Sequence, residues 1–293
     1  MMAYPAHATS PPMNAHTRTI KASSKPTNRI RTSKTLTPNN PQVLPDPCGF
    51  LMPGDCPMMY VGSKRRIAKH IRDEVHSRKG DRGVYWEPFC GGLNSFSVVA
   101  PGFDKAIASD SHADLIMMWK AVFNGWQPPM EVSEDYYRAL RDAGPSPMRG
   151  FVGFGCSFGS KWFGGYARSS AQPKNYAGIT ARSIEKKRKA LEGTDVRFAN
   201  ISVPVDVRVS DCENLVIYCD PPYANTLGYK GSGSFDHGLF WRWCRTQSKC
   251  GAVVLVSEYS APDDIECIAE YPHSVQIDSS VKTRASVERL YIV

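Results

Sequence analysis

V-I-Y-C-D-P-P-Y, residues 216–223, is the stretch on which the reading of this chain turns. Residues 215–218, Leu-Val-Ile-Tyr, form a short apolar run that predicts a buried strand. Pro221 and Pro222 have no N–H to give to a sheet ladder, so the strand has to stop before them. Asp220 therefore falls at the carboxyl end of a strand, beside a rigid turn, with the ring of Tyr223 close by. That edge is where open α/β sheets bind their ligands. Asp and Pro are also ordinary turn residues, so a strand followed by a plain polar turn stays open at this point.

The chemistry such a turn can offer is specific. An exocyclic amine on a nucleobase is a poor nucleophile, because its lone pair is delocalised into the ring. A carboxylate at Asp220 and a carbonyl held by Pro221 would accept its two N–H groups and favour a more tetrahedral nitrogen. Tyr223 would stack on a base turned out of its helix.

Upstream, residues 84–86 read as the first strand, ending in Glu87-Pro88-Phe89-Cys90-Gly91-Gly92 and a predicted helix over 93–99. Strand, glycine turn and helix make the layout of a nucleotide-binding first turn, without the G-x-G-x-x-G spacing. Glu87 would repel a pyrophosphate and attract a cationic aminoacyl group, which points to a sulfonium cofactor. Residues 105–108 read as a second strand closed by Ser109-Asp110, 19 positions after Gly91, where an acid can grip ribose hydroxyls. Asp110 can equally cap a helix over 113–123. Before the first strand, residues 60–64 (Y-V-G-S-K) lead into a predicted helix over 65–78 with Ser63 as N-cap; Lys64 beside a helix start suits a carboxylate or phosphate.

Charge is segregated. The 293 residues carry a net +8, yet residues 1–45 hold six Lys/Arg and no acid, and residues 138–189 hold eleven against two. The first segment is rich in Pro, Ser, Thr and Asn and reads as a disordered basic tail. The second contains the aromatic, glycine-rich run 151–168 and a predicted basic helix over 182–191. Aromatics among cations suit phosphate neutralisation with base stacking or wedging. Lys161, Trp162, Arg168, Arg182, Lys186 and Lys187 are the expected DNA-binding residues; an aromatic subdomain core under a solvated helix is the competing reading. Residues 228–234 read as a mobile loop, 235–249 as a helix, 252–256 as another buried strand, and 275–277 with 289–293 as a closing pair. The 9 cysteines have no paired spacing, which disfavours zinc or disulfides. No apolar run reaches membrane-spanning length and no secretory signal is seen, so a reducing cytoplasm is expected.

In this order the pieces resemble the Dam-like, D12-class DNA adenine-N6 methyltransferases. Residues 60–64 look like that family's amino-terminal cofactor motif, 87–92 like its P-F-x-G-G turn, and Ser109-Asp110 like its ribose-binding acid. Asp220 to Tyr223 look like its catalytic tetrapeptide, 253–257 like its next strand, and Thr283-Arg284 with Glu288-Arg289-Leu290 like its carboxy-terminal end. The resemblance spans residues 58–293. It implies S-adenosylmethionine as cofactor, with Tyr60, Lys64, Glu87, Pro88, Phe89, Gly91, Gly92, Asp110 and Asp220 around it. Asp220, Pro221, Pro222 and Tyr223 would be the catalytic group, with no metal required. The implied fold is α/β, a Rossmann-like class I methyltransferase with a mostly parallel seven-stranded sheet and helices on both faces. A small helical target-recognition domain would be inserted at 131–199, dividing a catalytic domain of 58–130 and 200–293.

Double-stranded DNA is the implied partner. The family's bacterial N-R-x-x-[FY]-N-G recognition pattern is replaced here by F-G-S-K-W-F-G-G-Y, residues 158–166, which leaves the recognised DNA sequence open and suggests a phage-type member. Three alternatives stay open. Cytosine-N4 methylation usually shows Ser where Asp220 stands, and methylation of RNA or a protein amide is the second, Asn being usual for the amide. The third is an inactive DNA-binding relic.

Overall fold

In the computed structural model, residues 64–169, 173–204, 211–223, 235–275 and 284–293 are described. The expectations for the tail, for Tyr60 and Ser63, and for the 228–234 loop lie outside them. Seven strands form one sheet: β1 (Val84–Glu87), β2 (Lys105–Asp110), β3 (Asp195–Asn200), β4 (Leu215–Cys219), β5 (Val253–Glu258), β6 (Glu266–Val275) and β7 (Arg284–Ile292). Their order is β3-β2-β1-β4-β5-β7-β6. The first five run parallel, and β7 lies antiparallel between β5 and β6. The expected mostly parallel seven-stranded α/β sheet is what the chain forms.

Parallel strands are covered on both faces, so they read as continuous apolar runs. β4 shows why: all five of its residues are buried, and they alternate between two cores. Val216 and Tyr218 enter one core with Tyr85, Ala106, Leu255 and Leu290. Ile217 and Cys219 enter the other with Trp86, Val254 and Val256. The first core is roofed by α1 (Ala68–Arg78), α2 (Phe96–Val99) and α3 (Ala113–Phe123), the second by Phe240, Trp243 and Cys244 of the helix His237–Lys249.

Between β2 and β3 the inserted segment adds α4 (Glu134–Arg141), α5 (Pro147–Gly155), a 3-10 turn (Phe158–Ser160) and α6 (Tyr176–Ala190); the helix His237–Lys249 is then α7. Serines start α4 and α5: Ser133 accepts Tyr136 N–H, and Ser146 accepts Arg149 N–H ahead of Pro147. Two features bear on the expected insertion. β3, Asp195–Asn200, pairs with β2 along its whole length and so is part of the sheet. The segment also has no separate core: Tyr137, Phe151, Phe154, Ala177 and Ile184 bury into the same cluster as Tyr85 and Trp119.

The joint is tight. Asp114 of α3 accepts Ser146 N–H at 2.8 Å and pairs with Arg149 at 2.8 Å. A Cβ on Gly150 would lie 2.3 Å from Asp114 O, so only glycine lets α5 cross α3 this closely. The aromatic run 151–168 is mostly core as a result. Phe151 and Phe154 are buried, and Trp162 packs on His112, Phe154 and the Arg149 guanidinium.

Shorter elements differ too. α1 begins at Ala68 with Ile67 at its N-cap and no side-chain capping bond. α2 begins at Phe96, because Leu93 takes a left-handed φ of 54° that ends the glycine turn rather than starting a helix.

Candidate active site

β2, β1 and β4 are neighbours, so the residues that end them share one sheet edge. Glu87 ends β1, Asp110 ends β2, and Asp220 follows β4 directly. The sequence separations of 23 and 110 positions vanish at that edge.

Asp220 lies in a cluster of four. Lys64 Nζ is 2.7 Å from Asp220 Oδ1 and 3.3 Å from Glu288 Oε1. The Tyr223 hydroxyl donates to Glu288 Oε1 at 2.8 Å. Lys64 Nζ also stands 4.5 Å from the centre of the Tyr223 ring, and Tyr259 meets that ring edge-on at 4.7 Å. Burial pushes the Asp220 carboxyl up to about 6; Lys64 pulls it down, and Glu288 pushes it further up. Burial likewise disfavours the Lys64 ammonium, but Asp220 and Glu288 together hold it above its ordinary range. The side chain of Asp220 keeps 18% exposure, so it can still be reached. Pro221 is buried and Pro222 exposed.

The glycine turn is held on every side. Gly91 N–H donates to Asp110 Oδ2 at 3.1 Å, and Gly91 O accepts the Trp119 indole N–H at 3.0 Å. Cys90 N–H donates to Ser109 O, and Gly92 O accepts the Lys187 ammonium. Gly91 has a φ of 44°, which a side chain would strain. Pro88 and Gly92 are buried, and Phe89 meets Phe235 and Phe240 edge-on. Asp110 also accepts His112 N–H at 2.9 Å; burial raises its carboxyl to about 6 against the pull of those amides. The helix-capping reading is corrected in detail: the Asp110 carboxylate caps the chain before α3, and His112 is the N-cap.

Glu87 departs from its expected role. Its oxygens accept the Ser95 hydroxyl at 2.6 Å and the Tyr85 hydroxyl at 2.7 Å, beneath the turn. Burial raises its carboxyl to about 8 against the pull of those two hydroxyls, which favours its neutral form. It anchors the turn from below.

The expected DNA-binding residues divide. Lys161, Arg168, Arg182 and Lys186 are exposed, Arg168 being paired with Glu134. Trp162 is half-buried in the aromatic cluster. Lys187 is a correction: it is buried, with its Nζ on Gly92 O, so it does not face outward with Arg182 and Lys186. Trp119, Ser95 and His112 adjoin the site and were not singled out by their local sequence; Glu288 was named only as part of the carboxy-terminal run, without a role in the site.

This edge suits a cationic nucleoside with an amino-acid tail. Asp110 has lone pairs left for hydroxyl donors, and the glycine backbone allows close approach. His112 Nδ1 is buried beside Asp110 with no hydrogen-bond partner among the described residues, an acceptor or donor awaiting one. Among those residues no cluster of metal-ligating side chains occurs, and no helix is long and apolar enough to cross a membrane.

Residues 60–143 match the family described as D12 class N6 adenine-specific DNA methyltransferase. Comparison with curated protein sequences gives no match. Solved structures similar to the chain include a tRNA methyltransferase of Aquifex aeolicus (10% identity, 82% of this chain and 72% of that one, TM-score 0.35). They also include a precorrin-6y methyltransferase of Geobacter metallireducens (9% identity, 76% and 86%, TM-score 0.32). A third is a precorrin 8W decarboxylase of Methanobacterium thermoautotrophicum (9% identity, 76% and 89%, TM-score 0.33). Likeness this distant carries no weight for substrate or activity.

Proposed function

We propose that this chain, an S-adenosylmethionine-dependent methyltransferase by its D12 match, acts on the N6 amine of adenine in DNA. The observation that supports the reading is Asp220 at the end of β4, held by Lys64 and followed by Pro221, Pro222 and Tyr223. S-adenosylmethionine, when bound, supplies an electrophilic methyl group on a sulfonium.

The chain's own residues then have defined work. Asp220, ionised, accepts one N–H of the amine, and the Pro221 carbonyl accepts the other. Both bonds favour a nitrogen with its lone pair released from the ring, the geometry needed for in-line attack. Lys64 keeps Asp220 charged in a buried setting by pairing with Oδ1 at 2.7 Å. Tyr223, fixed by its bond to Glu288, is the stacking surface for a flipped base. Asp110 and the turn at Gly91 and Gly92 hold the nucleoside and tail of the donor. Lys161, Arg168, Arg182 and Lys186 are exposed cations of the inserted segment, the kind of side chain that neutralises a DNA backbone. We place the chain among duplex-reading, cytoplasmic enzymes of the phage or restriction–modification kind on the same grounds.

The test uses S-adenosylmethionine carrying a labelled methyl group, unmethylated duplex DNA and nucleoside analysis, with Asp220→Ala as control. Label in N6-methyladenine that the substitution abolishes is the expected result. Label in N4-methylcytosine, or only in RNA or protein, would replace this substrate.

A further inference from the structure

Lys187 is the one lysine of α6 that points inward. Its neighbours along the buried stripe are Thr180, Ser183, Ile184 and Leu191, spaced as a core-facing helix side. A lysine is almost never fully buried unless something holds its ammonium. Here the ammonium donates to Gly92 O, in the glycine turn, and lies 6.0 Å from the Trp119 ring centre. Trp119 in turn donates to Gly91 O at 3.0 Å. Consecutive carbonyls of the turn are thus gripped from two helices, α3 and α6. Burial pulls the Lys187 ammonium down to about 7, with Arg65 adding to the effect, as expected for a cation in the interior.

The position of α6 gives this bond a second consequence. Arg182 and Lys186 stand exposed on the same helix, Lys186 being the residue before Lys187. Lys187 joins this helix directly to the turn, beside the core packing that α6 shares with α2 and α3. We infer that Lys187 is a positioning residue that ties the cofactor turn to the α6 face proposed to meet DNA, so that cofactor and DNA binding reinforce each other. The inference rests on the proposed DNA-methyltransferase reading. Reinforcement of this sort is reciprocal, because the coupling free energy belongs to both ligands.

The test measures S-adenosylhomocysteine binding to the full chain by calorimetry, with and without a short DNA duplex. It compares wild type with Lys187→Met, which keeps most of the side-chain volume and removes the donor. Leaving Gly92 O unsatisfied is expected to weaken S-adenosylhomocysteine binding about tenfold. In wild type the duplex is expected to tighten that binding about fivefold or more, and in Lys187→Met the factor should shrink towards one. With S-adenosylmethionine as substrate, its KM should rise while kcat at saturation holds.

A folded Lys187→Met chain that binds S-adenosylhomocysteine as tightly as wild type, with the duplex effect intact, overturns the inference. Wild type that binds no S-adenosylhomocysteine removes the methyltransferase reading itself. Hydrogen exchange on the wild-type chain needs no variant and covers the case where Lys187→Met does not fold. Duplex DNA alone should slow amide exchange over residues 88–93, and unchanged exchange there overturns the coupling.

Discussion

Glu288 accepts the Tyr223 hydroxyl at 2.8 Å, although 65 positions separate the two in the chain. One oxygen of Glu288 thereby serves both Tyr223 and, at 3.3 Å, Lys64. The carboxylate sits on β7, the strand that enters the sheet antiparallel. Glu288→Gln keeps the shape and removes the charge. Methyl transfer by this variant should fall about tenfold or more, as expected when a hydrogen bond to a charged group is weakened. The circular dichroism spectrum should be unchanged. Steady-state kinetics check the prediction, and an unaltered rate would leave Glu288 a bystander.

The pH profile follows from Asp220. In the proposed mechanism its ionised form accepts the amine, and burial raises its carboxyl to about 6. Raising the value narrows the range in which the acceptor exists. kcat/KM should therefore be flat above about pH 7 and fall about tenfold per unit below pH 6, since that ratio reports the free enzyme's essential groups. A profile flat down to pH 5 would put the titrating group elsewhere.

Glu87 affects stability rather than rate. Its folded value of about 8 lies above the ordinary 4.5, so its neutral form favours the fold. That contribution is complete below about pH 4.5 and is lost as pH rises through 8, at up to about 1.4 kcal/mol per unit. Thermal unfolding of wild type should therefore shift down between pH 5 and pH 8. In Glu87→Gln that part of the slope should disappear, which calorimetry at several pH values would detect.

Arg182→Ala with Lys186→Ala tests the outer face of α6. Each lost phosphate contact should flatten the slope of log affinity against log salt by about one, uniformly across DNA sequences. S-adenosylhomocysteine affinity without DNA should stay at the wild-type value. A salt slope that does not move would take α6 out of the DNA interface.

Gly150→Ala probes the joint between α3 and α5. The new methyl would meet Asp114 O at 2.3 Å, and backbone has to move to admit it. Overpacking of this kind costs about 1–3 kcal/mol, sometimes more. Denaturant unfolding should show the loss.

What could be read beforehand depended on locality. β4 and its D-P-P-Y turn were legible because an apolar run meets two prolines within eight residues. α3, expected over 113–123, is found as Ala113–Phe123, its buried face spelled out by Leu115, Ile116, Met118, Trp119 and Val122. β3 was missed: it is an outer strand, partly exposed along its length, so no apolar run marks it. Most of β6 was missed for a related reason; it is the other edge, and Pro272 within it reads as a strand breaker. Lys187 was assigned to the surface because three more basic residues adjoin it. Its only signal was its place in the inward stripe of α6. The site as three strand ends was inferable, but the bond from Tyr223 to Glu288 depends on β7 lying between β5 and β6, which no local pattern encodes.

The shared core of the inserted segment bears on how a new target sequence could arise. Gly150 rests against Asp114, Arg149 is held by that same aspartate, and Lys187 reaches the glycine turn. A graft that replaced only residues 131–194 with those of a cousin would bring a foreign α5 onto this α3 and break all three fittings. If this segment meets DNA as proposed, a change of specificity should fall on exposed positions around Phe158 and Lys161, or carry α3 along with the graft. On the proposed reading, the part that meets DNA and the part that transfers the methyl group are built around one core.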